Sequence, residues 1–275
     1  MNAKFFSGAQ RLSAMALIGL WLAMGVAPAS ATDAEQEALA KGLEIAQERK
    51  RRDLGWLDAE ADMVMLLSNR YGTTSQREMR VMTLEVAGDG DKSLVVFDTP
   101  RDISGTALLT YAHVVGADDQ WLYMPALKRV KRIASKNKSG PFVGSDFAYE
   151  DMVSFEVRKF QHRFLRAESL DGLDYFVVEQ VPLDGLSGYS KQILWLDQEH
   201  LRVMRAEFYD KKSALVKELT LSDYQLHLEH YWRAHRLQMK NVQAGSETTL
   251  TVNGMRFKTG LKEADFSQSG LRRIR

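Results

Sequence analysis

The chain contains no cysteine. No disulfide can staple the fold, so stability has to come from a buried core, and no thiol is present to carry a lipid anchor. An excess of charge is missing too: 37 Lys and Arg stand against 36 Asp and Glu, a formal net charge of +1. That balance argues against a general polyanion binder and makes any basic patch a local feature. No internal repeat with a period of roughly 20 to 50 residues is visible, and no low-complexity linker divides the 275 residues. Catalytic signatures are equally absent. There is no HExxH or comparable ligand set, and Gly185-Leu186-Ser187-Gly188 has neither the spacing of a nucleophile elbow nor a strand-to-helix frame.

One apolar run stands out. Met15 to Val26 (MALIGLWLAMGV) is short for a membrane span, follows the cations Lys4 and Arg11, and precedes the small residues Ala29-Ser30-Ala31. This order reads as a cleaved secretory leader over residues 1–31, followed by one domain over 32–275. The same flanks disfavour the alternative, an uncleaved N-terminal anchor. Export without cysteine predicts a soluble, unanchored protein, and a periplasm is the compartment that fits.

Asp33 to Arg52 carries Leu39, Leu43 and Ala46 at helical spacing and ends in Arg49-Lys50-Arg51-Arg52. It reads as one amphipathic helix whose basic end complements the macrodipole. After Trp56 the period changes to two. Arg80 to Val86 alternates, the turn cluster Gly88-Asp89-Gly90-Asp91 follows, and Ser93 to Phe97 completes a β-hairpin. Similar pieces recur at Ala107 to Val114, Gln120 to Met124, Arg129 to Ala134, Tyr175 to Val181, Lys191 to Leu196, Leu201 to Tyr209, Leu215 to Leu221, Trp232 to Val242 and Glu247 to Phe257. About a dozen strands joined by short turns make an antiparallel sheet, and one this wide must curl or close.

The candidate polar chemistry is thin. His227, His230 and His235 lie in HLEHYWRAH, but if this is a turn entering a strand, His227 and His230 point to opposite sides, which suits structural histidines better than metal ligands. Asp146, Glu150 and Asp151 form a carboxylate cluster without a nearby base or metal motif. The basic stretch after Trp121-Leu122-Tyr123-Met124-Pro125 reads as a strand with Lys128, Arg129, Lys131 and Arg132 distributed over both faces. Such cations protect an edge strand from aggregation, and they could equally dock on an acidic partner or a membrane surface. An exported, neutral protein is a poor candidate for nucleic acid.

The central block resembles a known family. Pro100 to Tyr111 (PRDISGTALLTY), DQWLYMPALKRVKRI from Asp119, Lys138-Ser139-Gly140-Pro141-Phe142, Gly144-Ser145-Asp146-Phe147 and Tyr149-Glu150-Asp151 are similar to the exported outer-membrane lipoprotein-sorting proteins, a LolA-like group. Tyr189-Ser190-Lys191, Trp195-Leu196-Asp197, Tyr209-Asp210 and Thr248-Thr249-Leu250 extend the likeness over the mature chain. The resemblance implies a mainly β fold, a half-open antiparallel barrel of about 10–12 strands capped by helices. It also implies an apolar cavity that accepts lipid or lipoprotein acyl chains, no enzymatic activity, no cofactor, and association with an RND-type (MMPL-like) exporter.

Alternation nominates the cavity wall. Met82, Leu84 and Val86, then Leu122 and Met124, then Leu194 and Leu196, form the most uniformly apolar faces. Ser139 to Phe155, rich in glycine and aromatic residues, is expected to cover the open side through Phe142, Phe147 and Tyr149, either as a hinged lid or as a fixed cover. An interaction or sensor module of the cell envelope, with the basic strand as its contact, is the other function class compatible with these residues.

Overall fold

The computed structural model describes residues 31–274. The leader reading therefore lies outside the described residues, apart from Ala31, where helix α1 (Ala31–Arg52) begins. Asp33 sits in the first turn of α1 and four cations in the last, the arrangement that the helix dipole favours. Ile45 and Ala46 are buried on its inner face.

Thirteen strands follow: β1 (Asp58–Ser68), β2 (Thr74–Leu84), β3 (Lys92–Thr99), β4 (Ala107–Tyr111), β5 (Asp119–Met124), β6 (Arg129–Arg132), β7 (Phe160–Leu170), β8 (Leu173–Pro182), β9 (Tyr189–Asp197), β10 (Val203–Asp210), β11 (Leu215–His227), β12 (Tyr231–Asn241) and β13 (Ser246–Phe257). They form one antiparallel sheet in the order β6-β5-β4-β3-β2-β1-β13-β12-β11-β10-β9-β8-β7. The chain thus starts mid-sheet, steps out to the β6 edge, crosses to the β7 edge and steps back until β13 pairs with β1. The sheet curls as one this wide must, yet among the described residues its two edge strands β6 and β7 do not pair with each other, which makes an open half-barrel rather than a closed one.

That topology dictates the cover. A chain that leaves β6 and resumes at the opposite edge in β7 has to traverse the sheet, and residues 133–159 do so in four short 3-10 turns. On the concave side they join α1 over a core containing Met65, Met79, Phe97, Leu108, Phe142 and Met239. Each side chain fully buried there contributes about 1.5–3 kcal/mol. On the convex side of β2 to β5, Leu94, Val96, Ala107, Leu109 and Tyr123 are sealed by Phe266 and Leu271 of the C-terminal segment. Asp58 holds that segment in place by accepting hydrogen bonds from Thr259 N (2.6 Å), Thr259 Oγ1 (2.7 Å) and Gly260 N (3.2 Å).

Helix α1 closes the β7 end of the concave face. Lys41 Nζ lies 3.9 Å from the centroid of the Phe164 ring. Gly42 passes so close to β7 that a Cβ there would stand 2.7 Å from the backbone nitrogens of Arg163 and Phe164. Only glycine allows that separation.

Candidate functional site

Between α1, the crossing segment and the middle strands the half-barrel encloses a cavity of about 970 Å³. This is at the upper end of the range of small-molecule sites, about 300–1,000 Å³. Its walls are built by strand alternation. Met79, Val81 and Thr83 of β2 face inward, as does Val95 of β3, which pairs with Val81; Val203, Leu221, Leu237 and Leu250 continue the wall across β10 to β13. Phe147, Met152, Val153 and Phe155 of the crossing segment form the opposite side.

The remaining lining is charged and aromatic. The last turn of α1 supplies Arg49 to Arg52, and the β11–β12 hairpin supplies Glu229 to Arg233. Most of these charges are already satisfied. Lys50 pairs with buried Glu156 at 2.9 Å, Arg233 with Asp53 at 2.7 Å, and Arg202 with Asp197 at 3.0 Å. Arg202 also lies between the rings of Trp232 (4.6 Å) and Tyr224 (5.2 Å), a geometry in which the guanidinium gains from both π faces. Asp91 is different: burial, reinforced by Glu156, Glu85 and Asp53 against the opposing pull of Lys50, pushes its carboxyl up to about 6.

The crossing segment is tied down along its length. Arg77 Nη1 donates to Val143 O at 2.6 Å, and Gln120 Nε2 donates to Tyr149 O at 2.9 Å. Asp146 accepts the hydroxyl of Thr248 (2.7 Å), and Glu150 accepts Ser187 Oγ (2.7 Å) and Gly188 N (2.8 Å). Asp151 accepts the Tyr189 hydroxyl (2.9 Å) and Ala148 N (2.7 Å), with Lys217 Nζ 3.4 Å away. Burial and the carboxylates of Asp151 and Glu150 push the Tyr189 phenol far up, so it stays a donor. The carboxylate cluster read from the sequence is thus the set of anchors for the cover, with Asp146 engaged on β13, Asp151 on β9 and Glu150 on the loop before β9.

Each residue nominated for the cavity can now be placed. Met82 and Leu84 point to the convex side and pack on the cluster sealed by the C-terminal segment; Met82 pairs there with Leu94. This corrects the face assignment on β2: the alternation was right in period and inverted in direction, because the C-terminal segment makes the outer face the drier one. Val86 lies beyond the end of β2, half-buried, and is not part of the cavity wall. Leu122, Met124, Leu194 and Leu196 do face inward, but into the packed core around Phe142 rather than the cavity. Of the aromatic cover residues, Phe147 lines the cavity; Phe142 is wholly buried against Phe97 (centroids 5.7 Å apart) and Tyr149 packs edge-on to Phe142. Lys128, Arg129, Lys131 and Arg132 are exposed at the β6 edge, where Arg132 pairs with Asp119.

The histidines occupy a hairpin. His227 ends β11, Leu228 and Glu229 turn with positive φ, and His235 lies on β12 with its ring stacked on that of His227, the Nε2 atoms 3.1 Å apart. Burial first, then His235 and Arg233, push the His227 pKa down. Among the described residues no group of three or more His, Asp or Glu is placed to hold a metal ion, and no helix is long and apolar enough to cross a membrane.

Among the described residues, an open antiparallel half-barrel capped by one α-helix and enclosing a cavity with a mainly apolar wall defines the class: a LolA-like fold. Comparison with known proteins agrees. A family model described as "Uncharacterized protein" matches residues 89–273. A crystal structure of a domain from Vibrio parahaemolyticus assigned to outer-membrane lipoprotein sorting is 56% identical, with a TM-score of 0.84 over 85% of this chain and 99% of that one. A DUF1329 family protein from Desulfovibrio piger is 29% identical, with a TM-score of 0.80 over 85% and 99% of the two chains. A LolA superfamily protein from Nitrosomonas europaea shares the fold at 22% identity and a TM-score of 0.64, covering 86% of this chain and 98% of that one. Comparison with curated proteins returned no match. The chain belongs to the family of the Vibrio lipoprotein-sorting domain and shares the LolA-like fold.

Proposed function

We propose that this protein is a non-enzymatic periplasmic carrier that holds an acyl chain of a lipid or lipoprotein in the cavity beneath α1. The observation that carries the reading is the cavity itself: about 970 Å³, with a wall of methionine, valine, leucine and phenylalanine from the strands and the crossing segment and charged and aromatic residues at the α1 and β11–β12 end. Methionine and aromatic side chains suit a flexible, irregular apolar ligand. Loading the purified protein with a fluorescent fatty-acyl probe, and native mass spectrometry after solvent extraction of bound lipid, test it. A protein that is always empty and takes up no acyl probe would refute it.

The exposed basic edge supports a second reading, an interaction or sensor module. The cations of β6 lie on a strand with one unpaired side, and among the described residues Arg129 and Lys131 have no carboxylate partner. An RND-type exporter, as the family resemblance implies, or an acidic membrane surface would dock there. Replacing Lys128, Arg129, Lys131 and Arg132 by Glu should abolish capture of such a partner at low salt and leave acyl-probe uptake intact. Capture that survives removes β6 from the contact.

A further inference from the structure

Among the described residues, one cation of the cavity lining makes no ion pair and no hydrogen bond. Arg49, on the last turn of α1, lines the cavity half-buried, its guanidinium carbon 4.3 Å from the centroid of the Phe155 ring. Its neighbours in the lining are each matched: Lys50 by Glu156, Arg51 and Arg52 by Glu48 at 2.7 Å, Lys92 by Glu263 at 2.6 Å, Arg202 by Asp197 and Arg233 by Asp53. Among the described residues Arg49 has neither a carboxylate within ion-pair reach nor a hydrogen-bond acceptor; the Phe155 face is its partner. Beside Phe155 on the same wall, Ser154 carries the buried side-chain oxygen that, among the described residues, has no hydrogen-bond partner.

Both features run against the usual economy of protein interiors. A guanidinium withdrawn from water without an anion is costly, and a buried hydroxyl without a partner forfeits its desolvation energy. Burial depresses the Arg49 pKa and outweighs the opposing pull of Tyr224 and Asp53, although arginine remains charged at any physiological pH. Such groups persist where something else answers them, and here both belong to the wall of a cavity otherwise suited to hydrocarbon.

Resting on the carrier reading above, we infer that the cavity selects acyl chains with an anionic head, a carboxylate or a phosphate, which Arg49 engages with its two-pronged donor set and Ser154 supplements with its hydroxyl. The planar fork of a guanidinium matches both oxyanions, and the apolar surroundings strengthen the pairing over its value in water. The head then lies at the α1 end of the cavity and the tail runs along Val81, Val95, Leu237 and Leu250.

Three probes with the same tail separate the possibilities: palmitate, 1-palmitoyl lysophosphatidate and neutral 1-monopalmitoylglycerol, each titrated below its critical micelle concentration by displacement of a fluorescent acyl reporter. The wild-type protein should bind at least one anionic probe about 10- to 100-fold more tightly than the neutral one, the range expected of charge-assisted hydrogen bonding. Which of the two anions binds more tightly identifies the head. Arg49→Met should remove the preference, bringing the ratio of anionic to neutral affinity to about one whatever its effect on the neutral probe alone, Arg49→Lys should keep part of the preference, and Ser154→Ala should lower it by a few-fold. Circular dichroism and urea unfolding establish that Arg49→Met is folded. Equal binding of all three probes by the wild type, or an anionic preference that survives Arg49→Met, overturns the inference and leaves the carrier reading standing. Displacement by none of the three refutes the carrier reading itself.

Discussion

Substituting Gly42 by alanine should destabilise this protein, although the same change in an ordinary helix is favourable. Alanine is preferred over glycine in a helix interior by about 1 kcal/mol, so propensity alone predicts a gain. The local geometry opposes it. A Cβ at position 42 would sit 2.7 Å from Arg163 N, 2.7 Å from Phe164 N and 2.8 Å from Arg163 C. These are backbone atoms of β7, paired with β8 and unable to swing aside as a side chain can. Relief requires α1 to move outward by several tenths of an ångström, which loosens the packing of Ile45 and Ala46 and the seat of Lys41 on Phe164. Overpacking of this kind costs about 1–3 kcal/mol and the backbone contacts here put it at the upper end, so after the propensity gain the net expectation is a loss of about 2 kcal/mol. Equilibrium unfolding in urea measures it. Ala40→Gly, on the exposed side of the same helix, calibrates the propensity, with an expected loss of about 1 kcal/mol. If Gly42→Ala proves as stable as the parent, or more so, α1 does not press on β7 as described. Because the last turn of α1 also forms part of the cavity wall, the substitution should weaken binding of an acyl probe as well.

Three further outcomes follow from the site. Asp91→Asn should stabilise the protein above about pH 7, by on the order of 2 kcal/mol, and have little effect near pH 4. A carboxyl raised to about 6 in the folded state carries a penalty that is absent below its unfolded pKa, grows between that value and 6 and is complete above, so urea unfolding at the two pH values checks the sign. Thr83→Arg should impair acyl-probe uptake while Leu84→Arg should chiefly lower stability, since Thr83 faces the cavity and Leu84 the sealed outer cluster; the opposite pattern in titration and unfolding would contradict the face assignment. Asp151→Ala should cost about 3–5 kcal/mol, because it strands the buried ammonium of Lys217, and Asp184→Ala, which removes a half-exposed pair with Lys138, should cost less than about 1 kcal/mol; equal losses would mean that Asp151 does not anchor the cover.

The strands that were legible in the sequence are those with clean alternation and a turn signal beside them, such as the β2–β3 hairpin around Gly88 to Asp91. β1 and β7 were not singled out as strands. β1 reads DAEADMVMLLS, with one β-branched residue, and its place in the sheet comes from two long partners, β2 and β13. β7 reads FQHRFLRAESL and is interrupted by a bulge between Phe164 and Arg166 that breaks its period. Both are held by pairing and by the helix above them, information that resides in distant segments rather than in local pattern.

The cavity was harder to read for a related reason. Alternation identifies two faces of a strand but does not say which is inside, and the rule that the drier face lines the pocket presumes that the other face meets water. Here that presumption fails on β2. Residues 258–274, lacking any regular pattern of their own, fold back over the convex face and bury Leu94, Val96 and Leu109 as thoroughly as any core, so Met82 and Leu84 are apolar for the sake of Phe266 and Leu271. The inner face, in turn, need not be uniformly apolar. A cavity that must admit a ligand and remain unfilled by its own side chains accommodates Thr83 and Ser93 opposite one another, where a collapsed core would exclude them. The same logic accounts for Arg49, which the helix-dipole argument absorbed into a basic helix end. Its neighbours in that run acquired carboxylate partners, and only the fold distinguishes the one that turned inward without any.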